Sequence, residues 1–125
     1  MILVDTSVWI AHFRKGSHHL AELLSNSLVL VHPFIVGELA CGNLSNRVGT
    51  LSDLQALPSA RSATHNEVVQ LVEARTLWGL GIGWVGVHLL ASALLSSCAL
   101  WTLDRRLLQA AAASEVEVYH PTEPA

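Results

Sequence analysis

Three short runs with almost no polar residue, ILV at 2–4, LVLV at 28–31 and ALWTL at 99–103, recur along the chain with stretches of helical spacing between them. A strand exposed on one face alternates apolar and polar residues, whereas a strand covered on both faces reads as an unbroken apolar run. Separated by helices, such runs must pair in parallel through right-handed crossovers, which lays helices on both faces of the sheet. The expected class is therefore α/β: three layers, α/β/α, around a central parallel sheet. In such a sheet functional groups gather beyond the carboxyl ends of the strands.

The segments between the runs carry their own signals. SVWIAHF has helical spacing through Val8, Trp9 and Phe13, HLAELLSN (19–26) continues as helix, and Pro33 suits the first turn of a helix in FIVGELACGNL. NRVGTLSDLQ predicts a further helix and ALP (56–58) a vestigial strand. THNEVVQLVEARTLWGL predicts a longer helix opened by a capping box, Thr64 with Glu67 three residues on. Gly79 to Gly83 read as a loop, 86–97 as a nearly all-apolar helix, DRRLLQAAAAS as a helix and VEVYH (116–120) as a last strand. With 125 residues there is room for one domain, 1–125, with a real core and a frayed tail at 121–125.

Composition narrows the function. Apolar residues make up 51% and charged residues 14%, against a usual charged share of about a quarter. The surface is short of polar cover, which suggests an obligate oligomer or half of a permanent complex. A net charge of −3 gives no basic field for non-specific nucleic-acid binding, so any RNA contact must be local. Cys41 and Cys98 lie in apolar segments without C-x-x-C spacing and read as buried free thiols in a reducing compartment. MILVD has no basic region before its apolar residues, so a cytoplasmic location is expected. Between Arg75 and Asp104 only His88 can carry charge, but Gly79, Gly81, Gly83 and Gly86 break this stretch and argue against a membrane span.

The chain has ten acidic residues, and three stand where the sheet would bring them together. Asp5 ends the first strand, Asp104 follows the LWTL strand, and Glu38 lies in the helix after the second strand. Each alone could be ordinary: Asp5 and Asp104 as N-caps, Glu38 as a solvated helix residue. Together they form a cluster of like charge, which is costly unless a cation compensates. Oxygen ligands without a suitable His or Cys grouping favour Mg2+ or Mn2+ over zinc. Such an ion can generate hydroxide and stabilise a phosphodiester transition state.

MILVDTSVWI, PFIVGELACG at 33–42, GIGWVGVHLLASALL at 81–95 and LWTLDRRL at 100–107 together resemble the PIN-domain ribonucleases of the VapC toxin type. The resemblance spans nearly the whole chain in order. It implies a Mg2+- or Mn2+-dependent endoribonuclease, a homodimer, and a cognate VapB-like antitoxin whose tail occupies the active-site groove. Asp5, Glu38 and Asp104 match the family's first, second and fourth acids. Thr6 matches the hydroxyl residue beside the first acid and Thr102 the one two before the fourth. The third acid normally stands at the start of the helix in GIGWVGVHLLAS, and Gly86 holds that slot here. An acid there would also suit the positive end of the helix dipole. Two readings follow: a ribonuclease toxin impaired by the vacant slot, or an inactive PIN-fold module that retains antitoxin or RNA binding.

Other residues read less sharply. His88 lies roughly 200° round the helix from Gly86 and reads as a buried, hydrogen-bonded histidine rather than a ligand. His18 and His19 diverge too far on a helix to grip one zinc ion. GLGIG follows a helix rather than a strand, so it is no dinucleotide loop. Ser7 reads as a first-turn helix residue without a partner base. Arg105 and Arg106 read either as RNA phosphate contacts or as a solvated or salt-bridged helix face. Arg14 and Lys15 are a loop pair of the same kind. Trp9, Trp78, Trp84 and Trp101 read as packing residues, with groove lining a second reading for Trp84.

Overall fold

In the computed structural model, which describes residues 1–121, β1 (Ile2–Val4) lies between β2 (Val29–Leu30) and β3 (Ala99–Trp101), all parallel. Leu3 and Leu100 are fully buried, as continuous apolar runs covered on both faces should be. The sheet is prolonged at each edge by a single parallel bridge, Val31 with Ser59 and Leu100 with Val118. Among the described residues seven helices complete the three-layer α/β/α arrangement: α1 (Thr6–Lys15), α2 (His18–Ser25), α3 (Pro33–Ala40), α4 (Arg47–Ala56), α5 (His65–Arg75), α6 (Trp84–Ser96) and α7 (Arg105–Ala113). One hydrophobic core runs from Ile2 to Val116. No described helix is long and apolar enough to cross a membrane.

Boundaries move where local chemistry ends an element. HLAELLSN does not continue α1, because Gly16 at φ 77° turns the chain and Ser17 restarts it, accepting a bond from the Leu20 amide at 3.2 Å. The capping box at Thr64 and Glu67 forms in both directions, but α5 stops at Arg75, where Thr76 turns left-handed. β3 ends before Thr102, whose hydroxyl is drawn to Asp5. VEVYH supplies edge pairing through one bridge, at Val118, rather than a full strand, and the vestigial strand expected at ALP is displaced: Ala56 ends α4 and the bridge falls at Ser59. Cys98 is buried as expected, whereas Cys41, at the end of α3, is exposed. The expected fraying of the tail falls, apart from Pro121, outside the described residues.

α6 is apolar nearly all round, and residues 87–93 are buried without a break, as in a helix enclosed by the core. It begins at Trp84, two residues earlier than the sequence suggests, so Gly86 is the third helical residue.

α3 starts on an unusual cap. His32 is 2% exposed, and its Nδ1 accepts a bond from the Phe34 amide at 3.0 Å. That bond leaves the ring proton on Nε2, which has no described partner. Burial, reinforced by nearby His88, lowers the His32 pKa to about 4. A second proton would occupy the lone pair that caps α3.

The unfolded imidazole titrates at 6.5 and the folded one at about 4, so between these values the unfolded chain binds more protons. Stability therefore rises with pH through this window and is lost as pH falls from 6.5 toward 4. His32 alone should make the protein about 2 kcal/mol less stable near pH 5 than near pH 7.5. His32→Asn, which keeps a capping acceptor, should flatten that part of the profile in urea titrations; an unchanged slope would contradict the assignment.

Candidate active site

The strand order decides where the acids meet. The chain leaves β1 toward β2 on one side and later returns to β3 on the other, so the carboxyl end of β1 is a topological switch point. Val4 pairs with Trp101, which sets Asp5 against Thr102. Asp5 is 8% exposed, a carboxylate taken largely out of water. Two hydroxyls compensate: Ser7 Oγ and Thr102 Oγ1 each donate to Asp5 Oδ2 at 2.7 Å. Both hydroxyls are themselves oriented by backbone amides, Ser7 by Leu103 N–H and Thr102 by Asp104 N–H, each at 3.0 Å. Asp5 stands at the N-cap position of α1, but its side chain makes no capping bond. Oδ1 takes no described hydrogen bond and is left for another partner.

Glu38 and Asp104 are exposed and held separately. Thr6 Oγ1 donates to Glu38 Oε1 at 2.6 Å, tying α1 to α3. Asp104 is a working N-cap: its Oδ1 accepts from the amides of Arg106 at 2.9 Å and Leu107 at 3.3 Å. Capping therefore holds for Asp104 and fails for Asp5.

Asp5, Glu38 and Asp104 line one cleft of about 310 Å3, together with Trp84 and Gly86. Glu38 also borders a larger groove of about 620 Å3, walled by Ile10, Phe13, Arg14 and Leu39. Among the described residues no Lys or Arg forms an ion pair with the three acids. Nor do three His, Cys, Asp or Glu side chains converge tightly enough to enclose an ion by themselves. The acids stand around the cleft rather than on one point. That donor set, hard oxygens with open space between them, fits a small divalent cation held by one or two carboxylates plus water and phosphate oxygens.

Gly86 has two ordinary explanations, and the geometry removes both. Its backbone is helical rather than left-handed. A Cβ built there would meet Leu107 Cδ1 at 3.5 Å and Ile82 Cβ at 3.6 Å, normal van der Waals contact. Neither a turn nor a close approach requires glycine, and the position lines the same cleft as the acids. Gly81 is the contrast. Its φ is +77°, and a Cβ would lie 2.7 Å from Arg106 Nη1. Arg106 thus rests over the glycine loop instead of pairing with an acid, while Arg105 is exposed without a described ion pair.

The remaining candidates separate. His88 is buried, but its Nδ1 makes no described hydrogen bond, contrary to expectation. Burial first, then the charge of His65, lowers its pKa, and it does not line the acid cleft. Trp9 and Trp101 are core residues, whereas Trp84 is 42% exposed and walls the cleft. Ser7 has a role beyond the first turn of α1 that the sequence reading missed. The triplet Asp5-Thr6-Ser7 was the available signal, with hydroxyls one and two residues after the buried acid.

The family model described as PIN domain matches residues 2–113. The chain belongs to the PIN-domain family. This PIN domain is 46% identical over 117 residues to Ribonuclease VapC32 of Mycobacterium tuberculosis, in strains CDC 1551 and H37Rv, covering 93% of this chain and 94% of each relative. It is thereby a PIN domain of the VapC type. Its fold is also that of PAE2754 from Pyrobaculum aerophilum, whose crystal structure aligns with a TM-score of 0.58 at 17% identity over 87% of this chain and 78% of that one.

If the slot at Gly86 is open, filling it with a methyl group should stabilise the PIN domain. Gly86→Ala should raise unfolding free energy by roughly 0.5 to 1 kcal/mol through reduced backbone entropy and the new contacts. Gly86→Asp adds a fourth charge, so its thermal midpoint in Mn2+ should exceed that in EDTA by about 3 °C or more, with a smaller difference for the parent. Destabilisation by Gly86→Ala would restore a packing explanation for the glycine.

Proposed function

We propose that this PIN domain is a Mg2+- or Mn2+-dependent endoribonuclease, the toxin of a VapBC-type pair, with cleavage impaired by glycine at position 86. One observation carries the reading: Asp5, Glu38, Asp104 and Gly86 share a single cleft at the end of the central strand. The activity in the name of the relative supports the reaction class.

Asp5, Asp104 and Glu38, which line the same cleft, would hold the ion. Bound there, a divalent cation supplies a water acidic enough to attack at neutral pH and charge to stabilise the pentacovalent phosphate. The chain's own contribution is orientation. Ser7 and Thr102 fix the Asp5 carboxylate in one pose, Thr6 restrains Glu38, and the cap bonds hold Asp104 through Oδ1. Arg105, exposed at the start of α7 beside Asp104, would meet RNA phosphates, with Arg106, packed over Gly81, a weaker candidate for the same contact. In this reading the groove bordered by Glu38 would receive the tail of a VapB-like antitoxin, and the protein would work as a cytoplasmic homodimer.

A second reading follows from Gly86 itself. A metal site short of one carboxylate binds its ion more weakly, so the fold and its antitoxin or RNA binding could outlast catalysis. RNA cleavage by the parent and by Gly86→Asp, each in Mn2+ and in EDTA, separates the two. The toxin reading expects EDTA-sensitive cleavage by both, at least about tenfold faster with the added acid. Asp5→Asn in the Gly86→Asp background should lower that rate by about a hundredfold or more. Equal parent and variant rates would remove the significance given to Gly86, and cleavage only by the variant would establish the parent as a binding module.

A further inference from the structure

The acid cleft is bordered by an aromatic cluster that the metal chemistry does not use. Trp84, the first residue of α6, lines the cleft and is 42% exposed. Its indole is braced by two imidazoles, His88 at 4.7 Å and 82° and His65 at 5.1 Å and 48°. Phe34, 38% exposed, rests edge-on against the same His88 at 4.6 Å. It precedes Glu38 by four residues on α3, so the ring and the acid occupy one helix face. Two partly exposed rings from different helices are thus fixed around His88, Trp84 lining the acid cleft and Phe34 standing on the helix face that carries Glu38. Exposed tryptophan normally costs solvation, and bracing it in one orientation costs rotamer freedom as well.

Resting on the ribonuclease reading above, we propose that Trp84, aided by Phe34, is a stacking platform for an unpaired base of single-stranded RNA, adjoining the phosphate held in the acid cleft. The charge distribution favours this occupant. Seven Lys and Arg residues face ten Asp and Glu in the whole chain, and the cleft itself is acidic, so phosphate attraction contributes little. A nucleobase has a neutral π-face that stacks on indole whatever the base, which provides affinity without cations. The same logic predicts a shallow salt dependence, because few counterions are released. Trp84 would then position the substrate strand, taking no part in bond breaking.

The test is fluorescence anisotropy of an end-labelled RNA of about twelve nucleotides and mixed sequence, in Ca2+. Trp84→Ala should weaken binding about tenfold or more, with Trp84→Phe within about threefold of the parent and Trp84→Leu resembling the alanine variant. Trp78→Ala, which removes a tryptophan 57% exposed and absent from the cleft lining, should bind within about twofold of the parent. In the Gly86→Asp background the Trp84→Ala change should act mainly on KM. A folded Trp84→Ala variant that binds RNA as the parent does would overturn the platform while leaving the ribonuclease reading intact. Conversion of a dimer to monomers by Trp84→Ala would overturn it too, assigning the ring to a second copy of the chain. Failure of the parent and the Gly86→Asp form alike to bind or cleave RNA would remove the ribonuclease reading and the platform with it.

Discussion

A carboxylate buried at the end of the central strand is the constraint around which this molecule is arranged. Asp5 cannot be left there without donors, because an unpaired buried charge costs several kcal/mol. Its donors come from both sides in sequence: Ser7 from the turn just begun, Thr102 from the far end of the chain. Each hydroxyl is in turn held by an amide of the segment joining β3 to α7. The network joins the start of α1, the end of β3 and the cap of α7, so the acids' positions and the fold's closure depend on the same few bonds.

The vacant slot at Gly86 sits at a helix start that is weakly defined in other respects. Gly83 occupies the N-cap of α6 without a side chain to offer, and no acid lies in the first turn. An acid at position 86 would satisfy the helix dipole and the proposed cation but would face Asp5, Glu38 and Asp104 across the cleft. Without metal the glycine therefore relieves repulsion, even though it adds backbone freedom to the unfolded chain. Stability of the metal-free protein and strength of the metal site are set against each other at one residue, as is common where function needs clustered charge.

The histidines show how placement overrides residue type. Seven of them invite a metal reading from sequence, yet His32 serves as a helix cap, and His88 is the ring on which Phe34 and Trp84 lean. Burial holds both toward their neutral forms. The centre of this cluster thus stays uncharged next to an acidic cleft.

Much of the architecture was legible along the chain. Unbroken apolar runs separated by helical spacing specify a doubly covered parallel sheet, because no other arrangement hides such strands on both faces. The Thr64 capping box, the acid after each of β1 and β3, and the departure at Gly86 could likewise be read locally. The end of β3 at Trp101 could not, since it follows from its partner β1 stopping at Val4, where the chain turns into α1. Nor could the exposure of Trp84, or the split between a capping Asp104 and a non-capping Asp5, which depend on what stands opposite. Short-range geometry is written into residue spacing; whether a particular side chain is covered, and which partner claims its hydrogen bonds, is settled only when distant strands are brought side by side.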